Sequence, residues 1–148
     1  MKQVRMYHVE LVRESSKLYN IDTKIDSSVK APEVLREVLQ IEKWHNEKFG
    51  FMALDTQNNL VGLHIVSEGT LNETSIYPRE IAIRALLNNA NTVILFHNHP
   101  GQSTKPSQSD ITATKLIEKA LETLQIKLLD HIILTTENHT SFAESGLI

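Results

Sequence analysis

The segment that most constrains the fold is TVILF, residues 92–96, an uninterrupted apolar run between two segments with helical patterns. Before this run, Pro78 stands where a first helical residue is tolerated, and REIAIRALLNNA continues as a helix. After it, apolar residues recur from Ile117 to Leu124 at the i, i+3, i+4 and i+7 spacing of an amphipathic helix. A strand between two helices predicts a domain of mixed α/β class.

Three further patterns complete the predicted domain. A helix should start near Ser27 and end near His45, because apolar residues follow helical spacing between them. The segments FGFMALD and LVGLHIVS flank the turn residues 57–59, which predicts an antiparallel hairpin. Two shorter strands, IKLLDHIIL and TSFAES, should close the sheet.

These patterns together predict a single α/β domain, an α+β mixed sheet flanked by helices, over residues 27–148. Residues 1–26 contain a short alternating run from Val4 to Leu11, and we expect them to form an N-terminal arm or an edge strand. A length of 148 residues is enough for one domain to bury a substantial core without disulfides.

Composition excludes several classes of function. The chain has no cysteine, so any metal must take nitrogen and oxygen ligands from His, Asp and Glu. A net charge of -3 gives no strong nucleic-acid signature. No window approaches the roughly 18 apolar residues that span a bilayer, and the N-terminus lacks an apolar signal segment. We therefore expect a cytoplasmic protein outside the membrane, and the sequence leaves its oligomeric state open.

The stretch HNHPGQSTKPSQSD carries the residues most suited to chemistry. Residues two apart on a strand share a face, so His97 and His99 at the end of TVILF can present both imidazoles to one point. The ten residues between His99 and Asp110 can curl back and bring the Asp110 carboxylate beside them. Two histidines and one carboxylate leave a fourth tetrahedral position for water, as in catalytic zinc sites. This predicts a Zn²⁺ site at His97, His99 and Asp110.

Each part of this stretch also has an ordinary explanation. A lone His-x-His pair is weak evidence for a metal, and Ser107-x-x-Asp110 before a helix is a near relative of the capping box. The polar groups are concentrated in one loop, because the sequence runs in the order strand, His-x-His, Pro, polar loop, Ser-x-x-Asp and helix. That order favours the metal site over a helix cap alone.

The same stretch resembles the JAMM, or MPN-plus, metalloprotease pattern of His-x-His, a seven-residue gap, Ser, two residues and Asp. Two longer segments look more specifically like the MPN domain of bacterial RadC proteins. They are GTLNETSIYPREIAIRALLNNANTVILFHNHP and LLDHIIL. The resemblance runs from Ser27 to Ile148 and implies a cytidine-deaminase-like, MPN-type fold. The sequence departs from the RadC pattern at one point, because Gly101 stands one residue earlier than the glycine of the usual HPSG motif.

The resemblance also implies roles for individual residues. His97, His99 and Asp110 fall on the zinc ligands of the family, and Ser107 falls on the serine that hydrogen-bonds the developing oxyanion or the bound water. The family uses an upstream glutamate as general base and acid, and Glu47 in NEKFGFMALD occupies that position.

Two other residues in the RadC-like segments are candidates for a role in the site. Glu80, in YPREI, is the main competitor of Glu47, although its place in the first turn of a helix has an ordinary dipole explanation. His131 in LLDHIIL is family-like as well, and a buried, hydrogen-bonded histidine beside Asp130 explains it equally.

The expected function is a zinc-dependent hydrolase of JAMM type that cleaves a peptide or isopeptide bond of a peptide or protein substrate. The alternatives are a binding module that keeps the fold without turnover, and a DNA-processing or repair accessory module of the RadC family. The sequence shows no counterpart of the helix-hairpin-helix region of full-length RadC proteins, so the resemblance favours hydrolysis over DNA repair.

Overall fold

A computed structural model describes residues 1–69 and 78–148. The sheet contains five strands: β1 Lys48–Leu54, β2 Leu60–Glu68, β3 Thr92–Asn98, β4 Lys127–Leu134 and β5 His139–Ser141. The helices are α1 Lys30–Leu39, α2 Pro78–Leu87 and α3 Gln108–Thr123, with a 3-10 turn at Ile41–Lys43. Residues 70–77, which are part of the RadC-like sequence, lie outside the described residues.

The strands follow the order β2-β1-β3-β4-β5 across one mixed sheet. Strand β1 is antiparallel to both β2 and β3, while β3 and β4 run parallel. Parallel neighbours need a long crossover, and α3 supplies it between β3 and β4. The predicted hairpin, the strand at TVILF and the mixed α/β class with its sheet flanked by helices are all confirmed.

Strand β3 is buried on both faces, which explains its uninterrupted apolar sequence. Val93 and Leu95 pack in a core with residues of α2 and α3, whereas Ile94 and Phe96 pack with residues of α1 on the other side. Because side chains alternate along a strand, His97 lies on the α2 and α3 side. The fold thereby points His97 toward the N-terminal end of α3.

Some boundaries differ from the sequence-based predictions. Helix α1 ends at Leu39 instead of near His45, because Gln40 adopts a left-handed backbone with φ 51°. Strand β3 extends past TVILF to Asn98. Strand β5 is short because the chain turns after Ser141, where the Asp130 carboxylate accepts hydrogen bonds from Ser141 Oγ at 2.6 Å and Ala143 N at 3.0 Å.

Within residues 1–69 and 78–148, the N-terminal segment joins the sheet near its end. Residues 1–19 form neither a helix nor a strand and have exposed side chains, so the edge strand considered for Val4 to Leu11 is not formed. The chain joins the sheet at residues 23–25, where Ile25 N donates to Asn58 O and Leu60 N donates to Thr23 O. None of the helices in residues 1–69 and 78–148 has the length and apolar character of a membrane span.

Candidate metal centre

The end of β3 places two imidazole rings beside each other. His97 is fully buried, and His99 continues the strand direction because its N–H donates to Leu134 O at 2.8 Å. A 2.6 Å contact between His99 Nδ1 and Ser103 O fixes the His99 ring. The Nε2 atoms of His97 and His99 consequently lie 2.9 Å apart.

Helix α3 brings the carboxylate to the same point. Ser107 is its N-cap and forms a capping box, in which Ser107 Oγ accepts from Asp110 N and Ser107 N donates to Asp110 Oδ2 at 2.7 Å. The ordinary explanation of Ser-x-x-Asp is therefore correct as local structure. The cap also orients the buried Asp110 carboxylate, whose oxygens lie 3.4 Å from His97 Nε2 and 3.6 Å from His99 Nε2.

Two ligand atoms bound at about 2.0–2.1 Å to one tetrahedral ion lie roughly 3.3–3.4 Å apart. The 2.9 Å between the two imidazole nitrogens and the 3.4 Å from His97 Nε2 to Asp110 Oδ1 are close to that value, while the 3.6 Å from His99 Nε2 is to the other carboxylate oxygen, Oδ2. Two imidazole nitrogens and one carboxylate oxygen are a donor set that suits zinc.

Glu47 supplies a second carboxylate at the edge of the centre. It is half-buried and directly precedes β1. One ligand atom from each of Glu47, His97 and His99 lies within 4.8 Å of the other two, so these residues form a group that could hold a metal ion. Glu80, the competing glutamate, is exposed on α2 and bonds Arg84 Nη1 at 2.8 Å, which gives it the role of a surface ion pair.

Asn98 fixes the segment that carries Glu47. Its buried side chain lies on the face of β3 opposite His97, where Oδ1 accepts from Lys48 N at 2.7 Å and Nδ2 donates to Asn46 O at 3.1 Å. These two bonds clamp the residues on both sides of Glu47. The sequence pattern gave Asn98 no role.

The charges of the centre are mutually stabilised. Burial alone raises the pKa of Asp110, but the adjacent His97 and His99 imidazoles outweigh it and hold that pKa well below the usual range. The adjacent Asp110 carboxylate raises the pKa of His99, against the opposing effect of burial. The centre therefore holds an ionised carboxylate beside imidazole groups, as a site for a cation requires.

A second row of polar groups lies behind His97. His97 Nδ1 is 2.8 Å from His131 Nε2, and His131 Nδ1 is 2.6 Å from Thr114 Oγ1. Thr114 Oγ1 also donates to Asp110 O at 2.6 Å. Burial lowers the pKa of His131 well below its ordinary value, and the neighbouring His97 adds to that effect. The neutral form of the His131 imidazole is thereby favoured.

Sequence reasoning described His131 as a buried, hydrogen-bonded histidine beside Asp130, and its burial and bonding are as described. Asp130, however, accepts from the backbone N–H of His131, at 2.7 Å, while the ring bonds His97 and Thr114. Thr114 was missed, although it stands four residues after Asp110 and so shares its helix face.

An open cavity of about 290 Å³ adjoins the centre on the side of His99. Its wall includes Trp44, His45, Pro100 and Thr135. Because His99 also lines this cavity, the cavity gives a second molecule access to the edge of the candidate metal centre.

Comparison with known proteins identifies the family. The model of the RadC-like JAB domain matches residues 25–147. A UPF0758 protein of Pseudomonas fluorescens (strain SBW25) is 40% identical over 123 residues, which are 82% of this chain and 55% of that protein. One of Pseudoalteromonas translucida (strain TAC 125) is 46% identical over 110 residues, 74% of this chain and 49% of that protein.

A further UPF0758 protein, from Cellvibrio japonicus (strain Ueda107), is 33% identical over 146 residues, 97% of this chain and 65% of that protein. The chain thus spans about half the length of most of the curated relatives it matches. Since the family model covers most of the chain and several relatives exceed 30% identity, this protein belongs to the RadC-like JAB domain family.

Proposed function

We propose that this domain is a zinc-dependent hydrolase of JAMM type that cleaves a peptide or isopeptide bond with a water molecule. The observation that carries the proposal is the convergence of His97 Nε2, His99 Nε2 and the Asp110 carboxylate, with Glu47 beside them. Zinc bound there would lower the pKa of a water to about 7 and polarise the scissile carbonyl.

The two carboxylates of the site have different surroundings and take different roles. Asp110 is buried and held by the N–H of Ser107, so its position suits a metal ligand. Glu47 is half-buried on the segment before β1, where it can accept a proton and release it again. We therefore assign Glu47 as the general base that takes the proton of the water and returns it to the leaving amine.

Ser107 supplies a hydrogen bond to the reacting carbonyl in this proposal. Its hydroxyl oxygen accepts from Asp110 N, which leaves the hydroxyl proton free for donation. The residue is exposed at the start of α3, where a substrate can reach it. Such a donor stabilises the negative charge that develops on the carbonyl oxygen.

Zinc content and hydrolysis of peptide and isopeptide substrates in four proteins test this function. Wild type should bind zinc, and His97→Ala should lose it. Glu47→Gln should retain zinc but lose roughly 10²–10⁴-fold in turnover, the usual contribution of a general base. Glu80→Gln is the matched control and should behave as wild type. The proposal fails if wild type binds no divalent metal in a site that His97→Ala removes.

Two alternatives remain distinguishable by the same proteins. A binding module without turnover would bind zinc and peptide with or without the Glu47 carboxylate, and no variant would change a hydrolysis rate. A DNA-processing accessory module would bind DNA with a steep salt dependence. The net charge of -3 favours a peptide or protein substrate over a nucleic acid.

A further inference from the structure

Thr114 and His131 are buried behind His97 and take no part in the hydrolysis described above. We propose that they are positioning residues that fix the tautomer of His97, with its proton on Nδ1 and the lone pair of Nε2 directed at the metal centre. The inference rests on the proposed function where it treats Nε2 as a metal ligand. The tautomer itself is a property of the metal-free protein.

The direction of this hydrogen-bond chain is set at the backbone carbonyl oxygen of Asp110. A carbonyl oxygen can only accept, so in the 2.6 Å contact the Thr114 hydroxyl donates its proton to this oxygen. A threonine hydroxyl has one proton and none remains for His131. The 2.6 Å contact between Thr114 Oγ1 and His131 Nδ1 must therefore contain a proton carried by His131 Nδ1.

The next step follows from the surroundings of the His131 ring. The ring is buried, with Phe142 stacked on it at 4.5 Å and Phe49 edge-on at 5.7 Å between ring centroids. Such an apolar enclosure favours the neutral imidazole, which has only one N–H. With its proton on Nδ1, His131 presents the lone pair of Nε2 to His97, and His97 Nδ1 donates to it across 2.8 Å.

This order matters because the Asp110 carboxylate favours the opposite tautomer. One of its oxygens lies 3.4 Å from His97 Nε2 and can accept a proton donated by that nitrogen. A neutral His97 with its proton on Nε2 could not ligate a metal through that atom. The acceptor at His131 counteracts this preference, as second-shell partners do for metal-bound histidines.

The test reads the His97 tautomer by ¹⁵N NMR of histidine-labelled, metal-free protein, and measures zinc affinity by chelator competition. Wild type should show the proton on Nδ1. Thr114→Val and His131→Phe should move it toward Nε2 and weaken zinc binding about 10–100-fold. Thr114→Ser keeps the hydroxyl and should match wild type. Thr123→Val is the matched control, since Thr123 Oγ1 donates to Lys119 O at the exposed end of the same helix.

If the NMR spectrum of the wild-type protein shows the His97 proton on Nε2, that result alone overturns the inference. Folded Thr114→Val that retains both the wild-type tautomer and the wild-type zinc affinity would also overturn it. If wild type shows the predicted tautomer but binds no zinc, the hydrogen-bond chain stands and the proposed function fails. The two ideas are therefore separable in one set of samples.

Discussion

At the scale of single residues, the end of β3 divides its polar side chains between two tasks. His97 and His99 face the candidate metal centre, while Asn98 faces the other side and holds the segment around Glu47. The strand repeat predicted the first task from sequence alone. The second could not be predicted, because it depends on how β1 pairs with β3.

Replacing Asn98 should separate metal binding from turnover. Asn98→Ala leaves Lys48 N and Asn46 O without their partner, which should cost about 1–3 kcal/mol of unfolding free energy. Since the freed segment carries Glu47, kcat should fall while zinc content stays near one equivalent. Urea unfolding, zinc analysis and a hydrolysis assay check this expectation.

Asn91→Ala is the control for that experiment. Asn91 is exposed next to the opposite end of β3, and its side chain makes a long 3.4 Å contact with Thr92 Oγ1. It should leave both stability and turnover close to wild type. An Asn98→Ala enzyme with wild-type kcat would show that the clamp does not position Glu47.

The pH dependence of zinc binding should report on His99. Its pKa is raised in the metal-free protein, so it holds a proton at higher pH than an ordinary histidine, and that proton competes with the metal. The pKa of Asp110 is lowered, so its carboxylate stays ionised over the same range. Zinc affinity should therefore fall as the pH is lowered through the range in which histidines titrate, starting above the ordinary histidine pKa of 6.5.

Chelator competition across that range measures the effect. His139→Gln changes an exposed histidine and should leave the curve unchanged. A zinc affinity that is flat across the range would contradict protonation of His99 as the competing event.

At the scale of elements, periodicity and turn residues predicted the hairpin, β3 and α3 with their correct order. Periodicity did not predict that α1 stops at Leu39, because the left-handed backbone of Gln40 has no glycine to mark it. The pairing of Leu95 with His131 between β3 and β4 was equally hidden. Register between strands that are distant in sequence depends on packing, so the row of groups behind His97 could be found only in the structure.

The pairing of β1 with its neighbours makes a glycine necessary at position 50. A Cβ added to Gly50 would lie 2.2 Å from His64 O and 2.6 Å from a carbon of the Phe96 ring. Gly50→Ala must shift backbone or a buried ring, and it should lower the unfolding free energy by roughly 1–3 kcal/mol or more. Chemical unfolding of the variant measures this loss.

Gly101→Ala serves as the matched substitution, because a Cβ there meets no described atom within 4 Å. Its unfolding free energy should stay within about 0.5 kcal/mol of wild type. Equal stability of Gly50→Ala and wild type would contradict the close approach of β1 and β2.

At the scale of the whole molecule, the domain is defined by its two cores and not by the full length of the chain. The family model begins at residue 25, and Ile25 is also the first buried side chain. The apolar side chains of residues 1–19, such as Val4 and Val9, are exposed. These residues contribute little apolar burial to the described domain.

Removal of residues 1–19 should therefore leave the unfolding free energy unchanged. Ile25→Ala, by contrast, should lower it by about 2–5 kcal/mol, since a buried isoleucine leaves a cavity when truncated. Thermal and urea unfolding of both variants check the pair. A large loss of stability on removal of residues 1–19 would mean that this segment packs on the domain.

The central claim is that His97, His99 and Asp110 hold one zinc ion while Glu47 stays free to act as a base. The most direct measurement is a crystal structure of the zinc-loaded protein with anomalous data at the zinc edge. The account predicts one peak about 2.0–2.2 Å from His97 Nε2, His99 Nε2 and an Asp110 oxygen, with Glu47 beside the remaining position. No peak there, or a peak ligated by Glu47 in place of Asp110, would contradict it.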